Sequence, residues 1–178
     1  MTPIQRNPGA KGPFVVRCAF TAIALALLVP ACTGSVPLTA THDSPEAVAR
    51  AVVAALSRRD RAALRGLAVG EEEFRFLVWP RQPAARPERN IPWDYVWKDL
   101  SAKSEYQLRR LLATWRGHGA EPIAVTFEGR TTDYGTYRIH RRSVVTLRDA
   151  NGQTRHVRLF GSLIEQDGRW KVFSYVID

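Results

Sequence analysis

The last third of the chain constrains the fold most. Four segments there have strand character: Ile123 to Gly129, Thr136 to Asp149, Thr154 to Gln166 and Arg169 to Ile177, with Asn151-Gly152 and Asp167-Gly168 marking the last two turns. Strands joined by such short turns lie antiparallel, so these residues predict a meander. Register follows from pattern, because a slip of one residue exchanges the faces of a strand. A two-residue Asn-Gly loop would set Leu147 against His156 and Val145 against Arg158. A three-residue loop of Asn151, Gly152 and Gln153 instead pairs Leu147 with Val157, Val145 with Leu159 and Ser143 with Gly161, and places Gly152 where positive φ is needed. The two-residue Asp167-Gly168 turn pairs Leu163 with Val172 and Leu159 with Val176.

These registers define two faces. One carries Ile139, Val145, Leu147, Val157, Leu159, Leu163, Trp170, Val172 and Val176. Its row of small residues, Ser143, Gly161 and Ser174, lets a backbone approach closely or leaves room for a pocket. The other face mixes Val144, Phe160, Ile164, Phe173, Tyr175 and Ile177 with Arg138, His140, Arg142, Arg148, His156 and Arg158. That is too aromatic for a solvated face and too basic for a core.

Upstream the period is helical. Ser44 as N-cap, Pro45 at the first helical position and Glu46 in the first turn open a helix whose apolar residues Ala47, Val48, Ala51, Val52, Ala55 and Leu56 recur at three and four. Asp60 caps a second short helix through Leu67, ended by Gly70, and Glu71 to Trp79 reads as a third with its acids at the favoured N-terminal end. Pro80, Pro83, Pro87 and Pro92 make residues 80–92 a long loop with Arg81, Arg86 and Arg89 in it. The longest helix follows, from Trp93 to Trp115. Trp93, Val96, Trp97, Leu100, Leu108, Leu111, Leu112 and Trp115 lie near one face of it, the pairs Asp94 with Lys98 and Asp99 with Lys103 on the wet side, and Gly117 and Gly119 end it. It is expected to lie across the sheet.

The N-terminus has a different character. Arg6, Lys11 and Arg17 precede 14 residues without a charge, Cys18 to Ala31, which is the layout of a secretory signal peptide. A spanning helix needs about 20 apolar residues. Extending this run to that length would bury Arg17 and pass through Pro30. Leu28-Val29-Pro30-Ala31-Cys32 resembles a bacterial lipobox, in which the cysteine is acylated and becomes the new N-terminus; the other reading is ordinary cleavage nearby with Cys32 an incidental thiol. By the same resemblance, Thr33 after the cysteine favours the outer membrane. Residues 1–31 are therefore expected to be a signal peptide, 32–43 a lipidated tether, and 44–178 a single α+β domain. Cys18 falls in the discarded part, so the domain folds without a disulfide and relies on its core.

Charge is read after that trimming. The chain carries +9, from 26 bases, mostly Arg, against 17 acids. Three of those bases leave with residues 1–31, so the mature chain is near +6. Nucleic acid would suit a basic face interleaved with aromatic rings, but an exported protein rarely meets it; anionic lipid headgroups or cell-wall polymers suit the charge better, and a solvated basic surface with no partner is the other reading.

The order of short helices, a long helix and a meander ending in Gly168-Arg169-Trp170-Lys171-Val172 resembles the nuclear transport factor two-like (SnoaL-like) domains, over residues 44–178. The resemblance implies an α+β cone whose curved antiparallel sheet closes on helices around a cavity, serving as small-molecule enzyme, ligand binder or dimeric scaffold. A cystatin-like arrangement is its neighbour, because no clear early strand precedes the long helix. Enzymes of this kind pair an Asp or His base with a donor in the cavity. Here Glu128, Asp149 and Glu165 fall at strand ends or turns, and Asp94 and Tyr95 read as a surface acid and a rim aromatic. His118, His140 and His156 share no ligand spacing, so no metal and no cofactor is expected.

The sequence thus predicts a non-catalytic, lipid-anchored envelope module, attached to the membrane through Cys32. Its candidate pocket comprises Trp93, Tyr95, Trp97, Ser143, Gly161 and Ser174. Its candidate surface for a homodimer or an envelope protein partner comprises His140, Arg142, Arg158, Phe160, Phe173 and Tyr175. The alternative is a small-molecule enzyme of isomerase or hydrolase type, with an unknown ligand between the long helix and the sheet.

Overall fold

Ser44 starts the first helix as its sequence dictates: its hydroxyl accepts the Ala47 N–H at 3.1 Å, and Pro45 begins α1, Pro45–Ser57. The structure, a computed structural model, describes residues 36–116 and 119–177. Residues 1–31, Cys32, Gly117 and His118 lie outside the described residues. Asp60 caps α2, Arg61–Gly66, by accepting the Ala63 N–H at 2.9 Å. The short α3, Glu71–Glu73, widens into a π-helical turn over Phe74–Val78, and three 3₁₀ turns carry the proline-rich segment to α4, Trp93–Thr114.

The strands are β1 Glu121–Phe127, β2 Thr131–Asp133, β3 Arg138–Arg141, β4 Ser143–Arg148, β5 Thr154–Val157, β6 Ser162–Gln166 and β7 Arg169–Ser174. They form two antiparallel sheets, ordered β1-β4-β5 and β2-β3-β6-β7. The α+β class is therefore as the sequence indicates, but the long strands expected at 136–149 and 154–166 each break and pass from one sheet to the other. Arg142, at φ 55°, separates β3 from β4, and residues 158–161 separate β5 from β6. The breaks meet: Ser143 N–H donates to the Gly161 carbonyl at 3.0 Å and Gly161 N–H to the Ser174 carbonyl at 3.1 Å. A Cβ on Gly161 would lie 1.6 Å from the Val176 carbonyl oxygen. The small row thus serves a close backbone crossing there.

Register matches the sequence near the last turn, where Leu163 faces Val172, but shifts between Leu163 and Ser162, and the expected Leu159–Val176 pair does not form. Asp167 and Gly168 both take positive φ, as a two-residue turn requires. At the preceding hairpin Val145 faces Val157, and Leu147 faces Arg155, two residues from the expected partners. The cause is Asp149: its N–H donates to the Gln153 carbonyl, and its carboxylate accepts from Asn151 and Gln153 N–H, each at 2.9 Å, which closes the loop earlier. A shift of two preserves faces, so Val145 and Leu147 remain buried.

Two apolar cores result. The first joins α1, α2 and Leu108 of α4 to Val145, Leu147, Leu159, Phe160, Leu163, Val172 and Tyr175. The second joins Phe74, Leu77 and Val78 to Leu38, Tyr137, Ile139 and Ile164, with Trp93, Val96, Trp97, Leu100 and Phe173 packed on it. The most deeply buried helix is α1, which packs on β1 and β7, whereas α4 buries only Leu108 completely.

Residues 38–43, within the expected lipidated tether, form a strap on the β7 edge. Leu38 N–H donates to Gln166 Oε1 at 2.9 Å, Thr39 bonds Glu73, His42 and Trp170 exchange backbone bonds, and Arg169 pairs with Asp43. Leu38 is buried in the second core. That burial fixes the strap where a polar linker would have left it loose.

Candidate functional site

A largely apolar concavity opens between α4 and the end of β7. Trp97, Leu100, Ser101, Ser104 and Leu108 recur at three and four residues, so they project from one side of α4. Facing them are Phe173, Ser174 and Tyr175 at the end of β7, and Ala68, Val69 and Gly70 between α2 and α3. The groove between has a volume of about 290 Å³, near the lower end of the usual small-molecule range. Its walls are mainly apolar, with the hydroxyls of Ser101, Ser104 and Ser174 spaced along them.

The polar groups of the groove hold one another in place. Ser104 Oγ accepts the Tyr175 N–H at 3.0 Å, and Tyr175 donates its hydroxyl to the Leu64 carbonyl at 2.7 Å. Burial pushes the Tyr175 phenol pKa up, so it stays protonated. At one rim Glu105 accepts from Arg65 Nε at 2.8 Å and pairs with Arg61. The Arg65 hydrogen bond holds the Glu105 carboxyl below its ordinary range, outweighing the upward push of partial burial. A carboxylate engaged by two guanidiniums is a weak base, so these groups are suited to orient a ligand rather than to move its protons.

Of the candidate pocket residues, Trp97 and Ser174 line this groove. Trp93 does not: it packs beneath the Arg75 guanidinium, 4.8 Å from its ring centre, on the second core. Tyr95 is 69% exposed, and Ser143 and Gly161 are consumed by the strand crossing. Sequence reasoning missed Leu100, Ser101, Ser104, Glu105 and Arg65. The signal present was two serines three residues apart within the apolar stripe of α4.

The candidate dimer surface is not a surface. Phe160 and Tyr175 are buried in the first core, and Phe173 is half-buried in the groove wall. Two-residue alternation applies only within a strand, and Phe160 and Tyr175 sit in the irregular segments 158–161 and 175–177. Arg158 bonds Glu128 at 2.6 Å, and Arg142 is exposed at the strand break. These six residues do not form one patch, and the interface expectation falls.

His140 has a different setting. Its ring packs 4.6 Å from that of Trp170 and 4.9 Å from that of Phe127; Nε2 lies 3.0 Å from Glu165 and Nδ1 3.1 Å from Thr131 Oγ1. A hydroxyl, an imidazole and a carboxylate in sequence suggest a catalytic relay. However, Thr131 and His140 are direct cross-strand partners, and the cross-strand pair Thr146 and His156 makes the same 3.1 Å contact with no carboxylate. The arrangement is the pairing habit of these strands. Glu165, expected only at a strand end or turn, is largely enclosed by it.

Among the described residues no cluster of three or more His, Cys, Asp or Glu could hold a metal ion, and no helix is long and apolar enough to cross a membrane. In comparisons with protein-family models, curated proteins and solved structures, nothing matches the chain.

Proposed function

We propose that this chain is an exported, lipid-anchored module of the cell envelope that holds a small amphipathic molecule in the groove between α4 and β7, without transforming it. The observation that carries this reading is the groove itself: about 290 Å³, walled by Trp97, Leu100, Leu108 and Phe173, with three serine hydroxyls and an internally neutralised Arg65–Glu105 pair as its polar groups. Such a lining favours an apolar body with one or two hydrogen-bonding groups. The charged run before Cys18, the uncharged run to Ala31 and the lipobox-like residues ending at Cys32 support export and anchoring, with the outer membrane facing the periplasm as the location. The order of helices and meander supports kinship with nuclear transport factor two-like modules, many of which enclose a ligand.

The test is a thermal-shift panel of small amphipathic molecules on the parent and on Ser101→Trp, which fills the groove from a half-buried position whose hydroxyl bonds only within its own helix. A compound that stabilises the parent and not the variant supports the reading. Equal shifts in both, or none across the panel, refute it. Cys32→Ser should move the protein from the membrane to the soluble fraction; unchanged membrane association would refute the anchor.

A further inference from the structure

The groove uses neither the proline-rich segment nor the apolar side chains around it. Between residues 75 and 92 the chain has four arginines, Arg75, Arg81, Arg86 and Arg89, and one acid, Glu88, a local charge of +3. All four arginines are exposed, and none forms an ion pair among the described residues. Close to Arg75 and Arg89 in sequence, two large apolar side chains are exposed, Phe76 at 52% and Ile91 at 36%. The Arg75 guanidinium sits 4.9 Å from the Phe76 ring and 4.8 Å from Trp93, which draws the π-helical turn and the start of α4 together.

The segment is also held firmly. Pro80, Pro83, Pro87 and Pro92 restrict its backbone, and its 3₁₀ turns follow one another without a long free stretch. Tyr137 clamps it to the sheet, donating its hydroxyl to the Val78 carbonyl at 2.9 Å and accepting from Gln82 Nε2 at 2.8 Å. The arginines are therefore displayed by an ordered frame, and less ordering remains to be done when a partner binds.

The chain's own connectivity indicates what covers this face. Leu38, where the strap begins, packs in the same core as Phe74, Leu77, Val78, Trp79 and Trp93. Cys32 is six residues before it, a span of at most about 20 Å even when fully extended. A lipid on Cys32 therefore tethers Leu38, which shares a core with the start of this segment, within that length of chain from the bilayer. We infer that this basic and apolar face rests on an anionic phospholipid bilayer, with Arg75, Arg81, Arg86 and Arg89 at the headgroups and Phe76 and Ile91 entering the interface. The placement rests on the anchor proposed above, whereas the lipid chemistry rests on these side chains alone. Each arginine near an anionic surface strengthens partition about fivefold at low salt. The face supplies a second membrane signal beside the acyl group.

The experiment uses the full chain with Cys32→Ser, so that no acyl group contributes. It is sedimented with vesicles of phosphatidylcholine alone and of equal parts phosphatidylcholine and phosphatidylglycerol, at low and high salt. The expected result is tighter binding to the anionic vesicles, weakened by salt, over what residues 1–31, with Arg6, Lys11 and Arg17, give on each vesicle type, a background that the arginine variants share. Arg81→Gln, Arg86→Gln and Arg89→Gln together should weaken the anionic binding about a hundredfold. The same three positions as Lys should retain most of it, and Phe76→Ser should weaken binding without removing the salt dependence. Equal binding to both vesicle types, or a triple Gln variant that binds like its parent, overturns the inference. Retention on soluble polyglutamate as strong as on anionic vesicles, and unaffected by Phe76→Ser, assigns the face to polyanions and also overturns it. Failure of the anchor shows separately, in the fractionation of Cys32→Ser, and failure of the groove shows in the thermal-shift panel.

Discussion

Replacing Glu73 by Ala removes the acid from a buried ion pair that also fastens the strap. Lys171 is 3% exposed and Glu73 7%, and Lys171 Nζ lies 2.8 Å from both carboxylate oxygens. The same carboxylate accepts from Thr39 N–H at 2.7 Å, Thr39 Oγ1 at 2.9 Å and Gly70 N–H at 2.8 Å. Its loss leaves a buried ammonium with only the 3.5 Å contact to Thr39 Oγ1 and orphans two backbone donors. Breaking a buried pair from one side costs about 3–5 kcal/mol. For a domain of this size that lowers Tm by roughly 10–15 °C. Lys171→Met should cost less, because the carboxylate keeps its three other donors, and the two substitutions together should cost less than their sum.

The pH dependence has a definite sign. Burial by itself would raise the Glu73 pKa, but the Lys171 hydrogen bond and the N–H groups of Thr39 and Gly70 outweigh it, so the folded value lies below the ordinary 4.5. A depressed acid contributes stability that is complete above its unfolded value and is lost as pH falls through the folded one. The gap in Tm between parent and Glu73→Ala should therefore be full at neutral pH and narrow in acid below about 4.5. Thermal and urea unfolding across that range measure it. A variant within about 1 kcal/mol of the parent at neutral pH, or a gap that does not change in acid, refutes the reasoning.

Three further outcomes follow from single contacts. Gly161→Ala puts a methyl group into the Val176 carbonyl, and urea unfolding should show a loss of about 3 kcal/mol, the upper end for overpacking. Tyr137→Phe removes the clamp on the proline-rich segment; it should cost about 1–3 kcal/mol and speed hydrogen exchange over residues 78–82. Phe160→Ser, made at a fully buried position, should lower Tm with no change of oligomeric state by light scattering, whereas a changed assembly in a stable variant would restore the discarded interface.

Local chemistry was the legible part. Ser44, Asp60, Gly152 and the Asp167-Gly168 turn each announce themselves, because a side-chain cap or a positive φ demands particular residue types. Face assignment survived in β4, as at Val145 and Leu147, but reversed in β3, where Ile139 pairs with Ile164 and His140 with Leu163, each sharing a face with the residue expected opposite it. It failed where the chain changes sheets, since Arg142 at positive φ has no sequence signature and the bend at 158–161 suspends alternation just where Phe160 sits. The strap was illegible for a similar reason. Thr39 and His42 look like linker residues until Glu73 and Trp170, far away in sequence, supply their partners. In the groove, Trp97 and Ser174 were found from two separate patterns, but the serines between them on α4 acquire meaning only when β7 is laid opposite.

Native mass spectrometry of the chain extracted from its own membrane tests the central claim most directly, with the parent and Ser101→Trp compared side by side. The account predicts that the parent carries both an acyl mass on Cys32 and a separable small molecule, and that the variant keeps the acyl mass and loses the small molecule. A parent with no bound molecule, or one retained equally by Ser101→Trp, would contradict it.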